Sequence, residues 1–343
     1  MKQIFIIILL TLSFSQDYPV LGSDNSLDIL TWNVEHYPKH NQTNTYLEDI
    51  ITQIDIDIIA LQEIENQNAF NNLINLLGGG WEGYRSANTQ YGEVSYLINT
   101  DEIEIVSLYT ILGGNAYYFA YREPYVLEFI HEGNSYVMIN NHFKCCGDDV
   151  LDLNDSGDEE YRRLIASQLL HEYVENNFNF DRVIILGDLN DEITDSQNNN
   201  VFLDFIDSDF FQFADNDIAY GPSLNWSFPT WPSHIDHIIV SDELYSDFNF
   251  EDVETFKVDQ YLNGGWSAYD QYISDHRPVF IKIDFNEILG DINNDQILNI
   301  LDVVMIVQIV LGNESSNDNA DFNQDSSIDI LDIVQLIQII IND

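Results

Sequence analysis

The stretch Val183-Ile184-Ile185-Leu186-Gly187-Asp188-Leu189-Asn190-Asp191 decides the reading of this chain. Four apolar residues, three of them β-branched, run into a glycine and then into two carboxylates and an amide. A short continuous apolar run fits a strand buried on both faces. Polar groups at the end of such a strand stand on rigid backbone at the rim of a core, where side chains are best positioned for chemistry. Four further polar clusters sit at the ends of comparable runs. They are Thr31-Trp32-Asn33-Val34-Glu35 after Leu27 to Leu30, Leu61-Gln62-Glu63 after Ile56 to Ala60, Asn140-Asn141-His142-Phe143 after Tyr136 to Ile139, and Ser274-Asp275-His276-Arg277-Pro278 before Val279 to Ile281.

Between the apolar runs lie segments with helical spacing: Leu47 to Ile59, Ala69 to Leu77, and an amphipathic stretch from Tyr161 to Val174. Continuous strands alternating with helices predict an α/β domain in which two packed β-sheets are flanked by helices, a four-layered sandwich.

In this order, over Ser26 to Asn286, the clusters resemble the endonuclease/exonuclease/phosphatase superfamily. These metal-dependent phosphoesterases include pancreatic-type deoxyribonuclease, abasic-site endonucleases, bacterial sphingomyelinases and inositol polyphosphate phosphatases. Ester cleavage at phosphorus needs a cation against developing charge, a positioned water and a proton donor for the leaving oxygen. The resemblance implies that Glu63 is the main ligand of Mg2+ (or Mn2+), with Asn33 and Asp275 beside it; carboxylate and amide oxygens suit such hard ions. It gives His142 the role of proton donor, oriented by Glu93, and makes His276 a second catalytic histidine paired with Asp236. Asp188 and Asn190 would position the water and bind a phosphoryl oxygen. Arg122, in Phe119-Ala120-Tyr121-Arg122-Glu123-Pro124, together with Lys144 and Asn141, would contact substrate.

Composition sets limits on these expectations. The chain carries 11 Lys and Arg against 59 Asp and Glu, a formal net charge of −48. Such an excess repels itself unless salt or bound cations offset it, and no basic stripe of the kind that grips polyanions is present. Residues 1–15 carry Lys2, an apolar core from Ile4 to Leu10 and small residues at Ser13 and Ser15, the pattern of a secretory signal peptide. No later apolar run reaches the ~20 residues of a membrane helix. The two cysteines, Cys145 and Cys146, are adjacent; a vicinal disulfide, two free thiols and a metal contact are all open to them.

After Phe285 the composition shifts, and no Lys or Arg occurs from Gly290 to Asp343. Within this tail Asp291, Asn293, Asp295, Asn299 and Asp302 are matched by Asp321, Asn323, Asp325, Asp329 and Asp332. In each copy oxygen-bearing side chains fall at positions 1, 3, 5, 9 and 12, the ligand spacing of an EF-hand calcium loop. Position 6, normally Gly, is Gln296 and Ser326. Each loop leads into one apolar helix, expected over Val303 to Leu311 and Ile333 to Ile341. The repeat resembles a type I dockerin, a small all-α module that binds Ca2+ and a cohesin-like protein. The expected division is a signal peptide over 1–15, a phosphoesterase domain over 16–287 and a dockerin domain over 288–343.

Together these expectations describe a secreted bacterial protein, extracellular or associated with the cell surface, that hydrolyses DNA or RNA. A sphingomyelinase-type lipid phosphodiesterase is the first alternative, with the aromatic loop Trp226-Ser227-Phe228-Pro229-Thr230-Trp231 as its membrane contact. An inactive calcium-loaded scaffold is the second; it predicts missing ligands, and none of the expected ones is missing.

Overall fold

A computed structural model describes residues 16–86, 94–179, 181–245, 247–248, 250–284, 289–293, 297–313, 315, 317–325 and 327–342. Residues 1–15, the expected signal peptide, and also Glu93 and Asp295 lie outside them. The described residues form twelve strands: β1 (Ser26–Tyr37), β2 (Ile58–Ile64), β3 (Trp81–Arg85), β4 (Ser95–Asn99), β5 (Glu104–Thr110), β6 (Tyr125–His131), β7 (Asn134–His142), β8 (Arg182–Asp188), β9 (Phe211–Phe213), β10 (Asp236–Ser241), β11 (Val253–Thr255) and β12 (Val279–Asp284). One sheet has the order β11-β12-β1-β2-β4-β3 and the other β5-β6-β7-β8-β10-β9.

Side chains alternate between the two faces of a strand, and this alternation builds the layers. Leu27 and Ile29 of β1, Ile58 and Ala60 of β2, Met138 of β7, Ile184 and Leu186 of β8, and Ile238 of β10 meet in one core between the sheets. The other face of the first sheet, with Leu30, Trp32, Ile59 and Leu61, packs on the helices α1 (Thr43–Ile54) and α2 (Gln67–Leu77). The outer face of the second sheet, with Ile139, Val183 and Ile185, packs on α3 (Glu159–Asn177) and the short α4 (Leu203–Ile206). The four layers expected from the sequence are present, completed by α5 (Asn216–Ala219) and α6 (Gly265–Tyr272).

Helices α1 and α3 depart from the sequence reading. The apolar spacing ran to Ile59, but α1 stops at Ile54 because Asp55 takes a left-handed conformation (φ 56°), after which Ile58 starts a strand. The buried side of α3 is also less apolar than an amphipathic pattern implies. Beside Ala166, Leu170 and Val174 it buries Glu160, Arg162 and Arg163.

The sheets are bolted together near one edge by polar side chains. Gln62 Nε2 donates to Asn140 Oδ1 at 2.8 Å, Asn140 Nδ2 donates to the carbonyls of Leu61 at 3.1 Å and Ser95 at 2.9 Å, and Tyr96 OH donates to Tyr125 O at 2.8 Å. Buried polar groups of this kind are costly unless paired, so they fix how one sheet sits on the other.

The C-terminal unit has its own small core of Ile292, Val303, Ile306, Ala320 and Leu336. Its helices α7 (Ile300–Val310) and α8 (Ile330–Asn342) begin three residues before the expected starts. The reason is capping. Asn299 Oδ1 accepts from Leu301 N at 2.7 Å while Asp302 Oδ2 accepts from Asn299 N at 2.8 Å, and Asp329 and Asp332 repeat the pair at 2.7 Å each.

Candidate active site

The parallel pairs β1/β2 and β7/β8 end at one edge of the sandwich, and the antiparallel strands β10 and β12 begin there. Continuing the inward alternation past the apolar core gives Asn33 on β1, His142 on β7, Asp188 on β8 and Asp236 on β10. Register confirms the meeting, for Asp188 is the partner of both His142 and Asp236. Gly187 makes this approach possible: its φ is +135°, and a Cβ there would lie 2.0 Å from Asn141 O.

Asp188 is the hub. Its Oδ2 accepts from Asn33 Nδ2 at 2.8 Å and lies 3.5 Å from His142 Nε2 and 3.9 Å from His276 Nε2. His276 Nδ1 lies 2.8 Å from Asp236 Oδ2. All five side chains are buried. Burial raises the Asp188 carboxyl above the usual carboxylate range. Burial also works against a charge on His276, but the carboxylates of Asp236, Asp188 and Asp275 outweigh it and raise the imidazole above its ordinary value. His142 moves the other way, held neutral by burial and by the charges of Arg122 and His276.

Glu63 reaches the same place by a different route. Strand alternation would send it outward with Ile59 and Leu61, but its backbone is left-handed (φ 63°) and its Oε1 lies 3.2 Å from Asn33 Nδ2. Oε2 accepts from His36 N at 2.7 Å, and His36 Nδ1 lies 2.8 Å from Glu65 Oε1. Ligand-type atoms of His36, Glu63 and Glu65 all lie within 4.8 Å of one another. Glu35 and His36 are left-handed too (φ 34° and 48°). Three non-glycine residues in this conformation at one site are backbone strain that the surrounding packing must hold.

The segment Ser274 to Arg277 is fixed at each residue. Ser274 Oγ donates to Asn33 O at 2.6 Å, Asp275 N donates to Glu35 Oε2 at 2.9 Å, and Arg277 binds Asp259 through two N–H groups at 2.8 and 2.9 Å. Burial raises the Asp275 carboxyl. The Oδ1 atoms of Asp275, Asp236 and Asn141 are buried and have no hydrogen-bond partner among the described residues. Orphaned acceptors are costly in a finished core. Asp275 and Asp236, with Glu63 and Asn33, are hard oxygen donors of the kind that fits a magnesium-type ion.

The expected substrate contacts are held by the protein itself. Arg122 donates from Nε to His142 O at 2.9 Å and from Nη2 to Phe143 O at 2.5 Å, bracing the back of the histidine strand. Lys144 Nζ donates to Cys145 O at 2.6 Å and lies 3.5 Å from Glu159. Asn141 Nδ2 donates to Ile139 O, and Asn190 Nδ2 donates to Phe143 O at 3.3 Å. Glu93, the expected partner of His142, falls outside the described residues.

One buried cluster escaped the sequence reading. Asp215 Oδ2 lies 2.9 Å from His234 Nε2 and 2.6 Å from His237 Nδ1, and His237 Nε2 lies 2.9 Å from Asp191 O. A carbonyl only accepts, so Nε2 carries a proton. With Nδ1 on a carboxylate held well below its usual range, His237 is an imidazolium. His234 Nδ1 accepts from Ser227 N at 3.3 Å and is neutral. The signal was present in His234-Ile235-Asp236-His237: with Asp236 facing in, His237 must face out toward the helices.

In the C-terminal unit, Asp321 Oδ1 and Asn323 Oδ1 converge on Asp325 N at 3.0 and 2.8 Å. Asp302 and Asp332 are fully buried carboxylates, each accepting two backbone N–H groups, with Oδ1 on Ile292 N and Asn323 N. Asp291, Asn293, Asn299, Asp325 and Asp329 carry the other expected ligand oxygens among the described residues, and oxygen ligands suit Ca2+.

Comparison with known proteins places both units. Structures of the same fold include D. rerio TDP2 in complex with single-strand DNA product (12% identity, covering 76% of this chain and 100% of that one, TM-score 0.56). The human Nocturnin catalytic domain with bound sulfate anion is 14% identical, covering 75% and 93% (TM-score 0.52). An endonuclease/exonuclease/phosphatase from Bacteroides vulgatus is 14% identical, covering 76% and 98% (TM-score 0.54). No curated protein matches the chain. Residues 289–341 match the dockerin type I domain. Residues 30–276, most of the chain, match the Endonuclease/Exonuclease/phosphatase family, and the protein belongs to it.

Proposed function

We propose that the protein is a secreted phosphodiesterase that hydrolyses nucleic acid with the help of a divalent cation. The observation that carries this is Asp188 Oδ2 standing 3.5 and 3.9 Å from the Nε2 atoms of two histidines, one of them backed by Asp236. Glu63, Asn33 and Asp275 would hold Mg2+ or Mn2+, which when bound would neutralise charge on the phosphoryl group. Asp188 and Asn190 orient the attacking water, and Asp188, its carboxyl raised by burial, takes the proton. His276, oriented by Asp236, holds a proton for the leaving oxygen. The sequence reading gave that donation to His142. With His142 held neutral, we assign it instead to hydrogen bonding at the phosphoryl group.

The protein's own cations contribute little to long-range attraction. Arg162, Arg163 and Arg277 are buried, and Lys39 is paired with Glu35 and Asp270. Divalent ions would then both serve the site and screen the approach of a polyanion. DNA is supported as a substrate class by the product bound in D. rerio TDP2. A lipid substrate is favoured by one observation: Trp231, Tyr220 and Leu224 are 77%, 68% and 68% exposed, an apolar group on and before the loop whose Phe228 ring lies 4.6 Å from that of His276.

The C-terminal unit is proposed to bind Ca2+ and, as dockerin modules do, a cohesin. Residues 1–15 are proposed to direct secretion. Incubation with plasmid DNA, RNA, sphingomyelin vesicles and inositol phosphates, each with and without magnesium, tests the substrate. Magnesium-dependent cleavage of DNA or RNA supports the reading. Hydrolysis of sphingomyelin alone replaces it with the lipid one.

A further inference from the structure

The two cysteines of the chain are exposed free thiols, and their Sγ atoms lie 2.9 Å apart. They occupy the loop that leaves β7 three residues after His142. The backbone around them is clamped by one buried cation. Arg163 Nη1 donates to Lys144 O at 2.8 Å and to Cys146 O at 2.7 Å, the carbonyls of the peptides just before and just after the one that joins the two cysteines. Its Nε donates to Asp191 Oδ2 at 2.6 Å, and its Nη2 lies 3.3 Å from Glu160 Oε1. Arg163 is 2% exposed. It therefore joins the cysteine loop to the loop that carries Asn190 and follows Asp188, the last residue of β8.

We propose that Cys145 and Cys146 form a modification site, a dithiol that low-molecular-weight disulfides oxidise to a vicinal disulfide, and that Arg163 transmits the change to residues 188–191. The effect on turnover rests on the phosphodiesterase reading; the bond and its structural effect do not. One cysteine thiolate attacks a sulfur of the small disulfide and expels a thiolate. The second cysteine attacks the mixed disulfide and expels the other. Two S–H protons and two electrons leave the protein, and one small disulfide becomes two thiols.

The transmission follows from geometry. Neighbouring Cα atoms stand about 3.8 Å apart, short of the ~4.4–6.8 Å usual for a disulfide, so closing the bond requires the 145–146 backbone to turn. The loop has little slack: Gly147 (φ +121°) packs so closely that a Cβ there would lie 2.1 Å from Glu160 Oε1. Turning the peptide draws the Lys144 and Cys146 carbonyls off Arg163. A buried guanidinium that loses acceptors must find others, and its remaining anchor on the site side is Asp191.

The test uses the full chain, reduced or incubated with oxidised glutathione. Mass spectrometry and thiol counting follow the bond, and amide hydrogen exchange follows residues 188–191. The expected result is a mass loss of about 2 Da with both thiols consumed, and exchange across 188–191 faster by on the order of tenfold. A reductant should reverse both, and a Cys145→Ser/Cys146→Ser double variant should keep the reduced exchange pattern throughout. Plasmid cleavage, measured in parallel, should fall about tenfold in the oxidised wild type alone, since 1.4 kcal/mol of lost positioning is a factor of ten. Glutathione adducts in place of the internal bond, or an internal bond with unchanged exchange, would overturn the proposal. If neither state cleaves nucleic acid, the nuclease reading fails while the exchange result still decides the switch.

Discussion

His276 and Asp236 are joined by a 2.8 Å contact between Nδ1 and Oδ2, with both side chains buried and the second oxygen of Asp236 lacking a partner among the described residues. A carboxylate in this position fixes the tautomer of the ring and raises its basicity. Asp236→Asn keeps the volume and removes the charge. Turnover is expected to fall about 10²- to 10⁴-fold, with the circular dichroism spectrum unchanged. A rate near wild type would remove the pair from the mechanism.

Glu63 should act through the metal. Its two oxygens face Asn33 Nδ2 and His36 N, so Glu63→Gln retains an acceptor but loses charge. The magnesium concentration for half-maximal activity should rise by at least about tenfold, and isothermal titration should show the same weakening. An unchanged magnesium requirement would reassign the ligand.

Much of this site could be read along the chain because strand period and polar position coincide. Asn33, His142, Asp188 and Asp236 each continue the inward alternation of an apolar run, so their convergence follows once two sheets face each other. Glu63 could not be placed that way: alternation sends it outward, and only a left-handed backbone returns it. Arg122, Lys144 and Arg163 were likewise opaque. A charge is visible in sequence, but its partners here are backbone carbonyls and carboxylates that the charge itself does not reveal. The helix starts at Ile300 and Ile330 were set by capping side chains that the apolar pattern does not register.

The buried Asp215 and His237 pair predicts a stability effect. Both are fully buried, and Asp215 Oδ1 also accepts from Ile238 N at 2.9 Å. Asp215→Asn leaves an uncompensated imidazolium, which costs about 3–5 kcal/mol when one member of a buried pair is removed. Denaturant unfolding should show the loss as a lower midpoint with an unchanged slope. Double replacement of Asp215 and His237 by apolar residues should be milder than the single change.

Asp57 predicts a pH dependence of stability. Burial raises its carboxyl to about 7 from 3.8, opposed by the hydrogen bond from Asp28 N at 2.8 Å. The folded state therefore binds more protons than the unfolded one between these values, and stability falls as pH rises through that window. Asp57→Asn removes the titration. Relative to wild type, the variant should gain about 1–4 kcal/mol between pH 4 and pH 8. Parallel stability curves for the two proteins would refute the assignment.

Calcium should order the C-terminal unit. No Lys or Arg occurs from Gly290 onward to balance its carboxylates, and Asp302 and Asp332 are buried at the starts of α7 and α8. Chelation of the full-length protein should reduce helical ellipticity and expose residues 289–341 to proteolysis, leaving the catalytic unit folded. Equal protection with and without chelator would argue against loaded loops.

The polar bolts between the sheets have a bearing on the chemistry that their distance from it conceals. Asn33, Glu63 and His276 ride on the first sheet, and His142, Asp188 and Asp236 on the second. The spacings of Asp188 to Asn33 and His276, and of His276 to Asp236, are thus measured across a joint, like the gap of a caliper whose jaws belong to different arms. Gln62 and Asn140 are the screw that locks it, one residue from Glu63 and two from His142. Changing the lock alone would therefore alter the reach of the proposed site while every side chain in it is kept.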